Sequence, residues 1–205
     1  VTPLAGLRQR FASVSYAQGS ILAEGAPVVM PGTALRDLRA EYQVDGKTVL
    51  ARTEPRIDLD LNRAAPGPGV PVTGWRGRWT GRFAPPGPGR YRLVLDQAQC
   101  WKDCTLHDTA TLTLGGRVLH AGALPKGRVE LTIDSDGSPQ PIALELDHRS
   151  EDESIRLLWL PPAEPLLAEA VGAARAAEVA VVVVGLSPDL EGEALQVQVP
   201  GFVGG

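Results

Sequence analysis

Residues 75–96 read WRGRWTGRFAPPGPGRYRLVLD and predict two β-strands joined by a tight turn. In the first half, aromatic residues and glycines alternate with arginines and a threonine, which is the period of two of a strand with one buried face. The inward positions are Trp75, Gly77, Trp79, Gly81 and Phe83. The segment PPGPG at 85–89 interrupts the pattern with turn residues, and RYRLVLD then begins a second strand.

Similar alternation occurs on both sides of this pair. The segments that carry it are LRAEYQV (38–44), RIDLDLN (56–62), TATLTL (109–114), RVELTI (128–133), PIALELD (141–147) and SIRLLWL (154–160). Gly115 and Gly116 predict a two-residue hairpin turn. The 23 glycines and 18 prolines fall mostly in short turns between these segments. About eight half-buried strands joined by tight turns are typical of a β-sandwich.

The period is helical at both ends of the chain. TPLAGLRQRFA at 2–12 predicts a helix, with Thr2 as the N-cap and Pro3 at the first helical position. VSYA at 14–17 predicts a short strand. Residues 161–178 predict a second helix, whose apolar stripe consists of Leu166, Leu167, Ala170, Val171 and Ala174. The run VAVVVV at 179–184 does not alternate and predicts a parallel strand buried on both faces.

The order of these patterns predicts an α+β protein in which an antiparallel β-sandwich is inserted into an incomplete α/β sandwich domain. We place the first α/β piece at 1–32, the β-sandwich at 33–162 and the second α/β piece at 163–205. A central strand needs a neighbour on each edge, because buried backbone groups are nearly always paired. We therefore expect the strands that complete the α/β layer to lie outside this sequence.

Charge and hydropathy narrow the classes of partner. The formal net charge is −4 and the pI is about 5.4, which disfavours general binding to nucleic acid or to an anionic membrane. The longest apolar run has the length of a strand and is too short to span a bilayer. The sequence has no glycine loop for phosphate, no G-x-S-x-G motif and no H-E-x-x-H motif. We expect no cofactor and no metal, and a periplasmic or secreted location.

The two ends of the chain resemble the C-terminal α/β domain of glycoside hydrolase family 3, a family of β-glucosidases and β-xylosidases. The middle resembles the PA-14 β-sandwich that many members of this family carry as an insertion. The motifs at the ends are TPLAGLRQRF with VSYAQG (2–19), EVAVVVVGLSPDLEGEAL (178–195) and VPGFVGG (199–205). Those in the middle are LRAEY (38–42), residues 75–95, LTLGGRVL (112–119) and IRLLWLPP (155–162).

The resemblance implies a retaining β-glycosidase that acts on β-linked glucosides or xylosides. The family takes its nucleophilic Asp from a separate TIM-barrel domain, so this chain alone is expected to be inactive. The acid/base Glu comes from the loop that matches LSPDLEGEAL (186–195), where Glu193 is our first choice and Glu191 our second. Exposed acidic residues are common in loops, and the alternative is that both are solvated charges. The expected partners are a β-linked oligosaccharide or glycoside, the barrel and the rest of the α/β domain.

The segment DQAQCWKDCTLHD at 96–108 is the other candidate for function. Trp101 is the tryptophan that we expect to touch substrate, since the other three lie on patterned strand faces and are expected in the core. Cys100 and Cys104 could form a local disulfide, remain free thiols, or bind zinc with His107 and Asp108. In PA-14 lectins that bind calcium, paired aspartates follow the strand matching RLVLD. Only Asp96 keeps that pattern, so we expect no calcium site.

Three other readings remain open. The arginines at 76, 78 and 82 form a basic stripe on one strand face, which we expect to be solvated. The chain could be a carbohydrate-binding module without catalysis, which would explain the sandwich but not its flanks. It could also be a structural insertion that packs against its parent protein or mediates dimerisation.

Overall fold

The computed structural model describes residues 2–21, 27–61, 64–98, 107–124, 127–150 and 154–185, and the backbone of two short strands beyond them. It divides into two compact units. One is Pro27–Leu160, and the other combines Val1–Ala26 with Pro161–Gly205.

The described part of Pro27–Leu160 contains eleven strands. They are β1 (Val28–Val29), β2 (Leu35–Val44), β3 (Lys47–Thr53), β4 (Asp58–Asp60), β5 (Trp75–Phe83), β6 (Gly89–Ala98), β7 (Thr109–Leu114), β8 (Arg117–Ala123), β9 (Arg128–Ser135), β10 (Gln140–His148) and β11 (Ser154–Leu160). One sheet has the order β1-β11-β6-β9, with β4 also paired to β11. The other has the order β3-β2-β5-β10-β7-β8. Every pairing is antiparallel. This confirms the predicted α+β class with an antiparallel β-sandwich.

Aromatic rings fill the space between the two sheets. Trp75, Trp79 and Trp159 are each 1% exposed, which confirms that these three tryptophans belong to the core. The ring of Phe83 in β5 meets Tyr91 in β6 edge-on at 5.6 Å and Trp159 in β11 at 6.4 Å. These contacts join the sheets, since β5 belongs to one sheet and β6 and β11 to the other. Aromatic pairs in this geometry add to the burial of their apolar area.

Gly77 leaves room for two of these rings. A Cβ at this position would lie 2.5 Å from Cη2 of Trp79 and 2.8 Å from Cζ3 of Trp75. We expect Gly77→Ala to lower the free energy of unfolding by about 1–3 kcal/mol, because the rings must leave their packed positions. Urea unfolding measures the loss. Gly172→Ala is the control, since no atom lies within 4 Å of its added Cβ, and it should be neutral or slightly stabilising. Equal stabilities for Gly77→Ala and the wild type would contradict the prediction.

Two hairpin turns contain glycine with positive φ. The turn between β7 and β8 was predicted, and the turn between β2 and β3 was not. β7 and β8 pair with Leu114 opposite Arg117, so Gly115–Gly116 forms the predicted turn. Both glycines have positive φ, at 59° and 80°, as a type I′ turn requires. Strand β3 was not predicted from alternation. Its signal is the Asp45–Gly46 pair before it, whose φ angles are 50° and 74°.

The second unit contains two described helices, α1 (Pro3–Arg10) and α2 (Ala163–Ala176). Both confirm predicted helices, and the Oγ1 of Thr2 caps α1 by accepting a hydrogen bond from the Ala5 amide at 3.2 Å. Two short strands, β12 (Val197–Val199) and β13 (Phe202–Gly204), pair with each other. Neither described helix is long and apolar enough to cross a membrane.

Two predictions about this unit are wrong. Residues 14–17 are irregular rather than a strand. The run 179–184 is also irregular, and its valines are 60–86% exposed instead of buried. The apolar stripe of α2 is largely exposed too, since Leu166 is its only buried member among the described residues. The physical reason is the lack of a neighbour, because no described strand of this unit pairs with 179–184 and an isolated strand cannot bury its side chains.

Candidate functional site

One end of the sandwich carries the two described ends of the segment at 96–108 that the sequence singled out. Here β6 and β10 end, and β5, β7 and β11 begin, as the pairs Ala98 with Ser154 and His148 with Trp75 show. We call it the distal end, because Pro27 and Leu160, where the sandwich begins and finishes, lie at the other end. Strand β11 has seven residues, which separates the two ends by about 20 Å.

A buried carboxylate organises the distal end. Asp108 is 2% exposed, and its two oxygens accept five hydrogen bonds. Oδ1 accepts from the Arg149 amide at 2.7 Å, the Ser150 amide at 2.9 Å and the Ser150 hydroxyl at 2.7 Å. Oδ2 accepts from Gln97 Nε2 at 2.8 Å and His148 Nδ1 at 2.6 Å. Burial opposes the charge, but these hydrogen bonds and the nearby histidine hold the pKa of Asp108 well below its usual range.

His148 is held by partners on both sides of its ring. Its Nδ1 lies 2.6 Å from Oδ2 of Asp108, and its Nε2 lies 3.1 Å from the carbonyl oxygen of Val72. The side chains of His148 and Asp108 are 1% and 0% exposed. The ring of Trp75 lies 4.7 Å from the imidazole ring at a tilt of 44°.

This cluster contains Ser, His and Asp, but its hydrogen bonds are not arranged as in a catalytic triad. In a triad the histidine lies between the carboxylate and the nucleophilic hydroxyl. Here the Ser150 hydroxyl donates directly to Asp108, and the second nitrogen of His148 is occupied by a backbone carbonyl. In the part of the chain that the structure describes, no histidine ring accepts the hydrogen bond of the Ser150 hydroxyl. The network therefore has a positioning role.

The network fixes both ends of the connection that contains residues 99–106. Gln97 lies before residues 99–106, and His107 and Asp108 follow them. Gln97 and Asp108 are joined by a 2.8 Å hydrogen bond, and the His107 amide donates to Ser150 at 3.0 Å. The same carboxylate holds the start of the β10–β11 connection. One buried group thus fixes where two connections leave the sandwich.

Asp96 faces two arginines. Its Oδ2 accepts from Arg156 at 2.6 and 3.1 Å, and its Oδ1 lies 3.6 Å from Arg128. These positive charges compete with any cation for the carboxylate. Among the side chains that the structure describes, no three His, Cys, Asp or Glu residues are grouped to hold a metal ion. Asp108 has no free lone pair for zinc, because five donors already occupy it.

The predicted site residues themselves lie outside the described residues. This applies to Glu191 and Glu193, to Trp101, and to Cys100 and Cys104. Their roles remain predictions. The structure shows a hydrogen-bond network on both sides of the segment containing Trp101. The sequence did not predict this network. Its members Asp108 and His148 lie 40 residues apart, and their pairing depends on strand order, which no local pattern encodes.

The outer face of the six-stranded sheet carries the arginine stripe. Arg76 lies 3.3 Å from Asp147, and Arg78 lies 3.3 Å from Glu145. Arg82 donates to the carbonyl oxygen of Pro139 at 3.2 Å. The arginines are more than half exposed in the first two pairs, so the stripe is a solvated face as expected. Asp147 and Glu145 on β10 pair with Arg76 and Arg78, and Asp147 also pairs with Arg149 at 3.0 Å.

Comparison with known proteins gives a resemblance of fold. No protein-family model matches the chain, and no curated protein matches it in sequence. A solved anti-sigma factor domain-containing protein is similar over 62% of this chain and 43% of its own, with a TM-score of 0.51 and 20% identity. A β-glucosidase from Kluyveromyces marxianus, solved in complex with glucose, is similar over 88% of this chain and 24% of its own, with a TM-score of 0.52 and 15% identity. The chain therefore spans less than half of either protein.

Proposed function

We propose that this chain is part of a retaining β-glycosidase. The sandwich shapes the substrate site, and the loop after the valine run supplies the general acid. The main support is the extent of the β-glucosidase match. It covers 88% of this chain, whereas the sandwich unit Pro27–Leu160 makes up about two thirds of it. The similarity thus extends into the flanks, as an inserted sandwich requires.

Exposed apolar side chains support a missing packing partner. Among the described residues, nine of the twelve large apolar side chains that are exposed lie in the unit formed by residues 1–26 and 161–205. They include Leu167 and Val171 on α2 and the valines of 179–184. Soluble proteins rarely leave so contiguous an apolar sequence uncovered. In the proposal, another part of the parent enzyme covers these side chains.

The proposed chemistry needs two carboxyl groups about 5–5.5 Å apart, one as nucleophile and one as acid/base. In our proposal Glu193 is the acid/base, Glu191 is the second choice, and the nucleophilic Asp comes from a separate barrel domain. Trp101, in the segment between Gln97 and His107, would contact the sugar beyond the cleaved bond.

The test uses the enzyme assembled from this chain, its barrel and the rest of the α/β domain. We expect hydrolysis of cellobiose, and we expect Glu193→Gln to lower kcat about 100-fold, because the alkoxide then leaves without a proton. The loss should be smaller with a nitrophenyl glucoside, whose leaving group needs little protonation. Glu191→Gln is the matched control and should stay near wild type. An unchanged rate in Glu193→Gln would refute that assignment, and an inactive assembled enzyme would refute the proposed function.

The second candidate is a non-catalytic carbohydrate-binding or structural module. Its support is the anti-sigma factor domain match, which covers 62% of this chain, close to the sandwich alone. If the chain is such a module, Glu193→Gln does not change any rate of hydrolysis, and the flanks serve only to attach the sandwich to the parent protein. Activity of the assembled enzyme that depends on Glu193 would exclude it.

A further inference from the structure

We draw no further inference here: the strongest candidate, the outer edge of strand β8 (Arg117–Ala123) in the six-stranded sheet, carries no docking proposal, because a register shift and the positive φ of Gly122 interrupt that edge and nothing in the described part of the chain shows what would pair with it.

Discussion

Replacing Asp108 with alanine should lower the free energy of unfolding of the sandwich by about 3–5 kcal/mol, because it leaves several buried polar groups without a partner. The change leaves the buried Nδ1 of His148 without the carboxylate oxygen that lies 2.6 Å away. It also removes the acceptor of two backbone amides, the Ser150 hydroxyl and the Gln97 amide. Urea unfolding at pH 7, followed by tryptophan fluorescence, measures the loss, because Trp75 lies 4.7 Å from the His148 ring.

Two variants make the Asp108 experiment specific. Asp108→Asn keeps the volume but turns an NH2 group towards donors, so it should lose nearly as much stability as the alanine variant. Asp134→Ala removes an aspartate whose ion pair is 75–77% exposed, and it should stay within about 0.5 kcal/mol of wild type. If Asp108→Ala unfolds at the same urea concentration as Asp134→Ala, the network does not hold the distal end.

Acid should weaken the same network. Because the pKa of Asp108 lies below its unfolded value of about 3.9, the folded state loses this proton more readily than the unfolded chain does. The stabilisation is therefore complete above that unfolded value and is lost as the pH falls further. Wild-type stability should drop more steeply below pH 4 than that of Asp108→Asn. Parallel pH curves for the two proteins would contradict this.

Most of the sandwich could be predicted from alternation, because a sheet with one buried face repeats every two residues. Strand β5 shows this most clearly, with every second residue from Trp75 to Phe83 on its inner face. Strand β3 has no buried residue, so no alternation of apolar and polar residues marks it in the sequence. The valine run at 179–184 is the opposite case, because its sequence predicts a buried strand that the structure does not contain. Its composition predicts burial, but burial also requires neighbouring strands, which composition cannot supply.

The distal network could not be predicted because its members depend on tertiary register. Asp108 follows a segment rich in polar residues, where a solvated aspartate or a metal ligand is the ordinary expectation. Only the pairing of β10 with β5 and β7 brings His148 and Ser150 to it. Positions on a strand can be predicted from hydropathy, but hydrogen-bond partners across strands cannot.

The second large effect is expected at Glu54, a carboxylate whose side chain is 7% exposed. Its Oε1 accepts from the Tyr42 hydroxyl at 2.7 Å and from Arg52 at 2.8 Å, and its Oε2 accepts from Nε1 of Trp79 at 3.0 Å. Glu54→Ala leaves two buried donors without an acceptor at about 1–3 kcal/mol each, so we expect a loss of about 4 kcal/mol. Urea unfolding measures it, with Glu41→Ala, whose carboxylate is 33% exposed beside Arg39, as the control.

Tyr42 reports whether this loss comes from the carboxylate or from packing alone. Burial, followed by the hydrogen bond to Glu54, raises the pKa of Tyr42 well above its ordinary value of 10. The folded state therefore keeps this proton longer than the unfolded chain, and wild-type stability should fall as the pH rises above 10. Glu54→Gln removes the negative charge at nearly constant volume, so it should lower the pKa of Tyr42 in an absorbance titration. An unchanged tyrosine titration in Glu54→Gln would mean that the carboxylate does not control Tyr42 and that packing accounts for the lost stability.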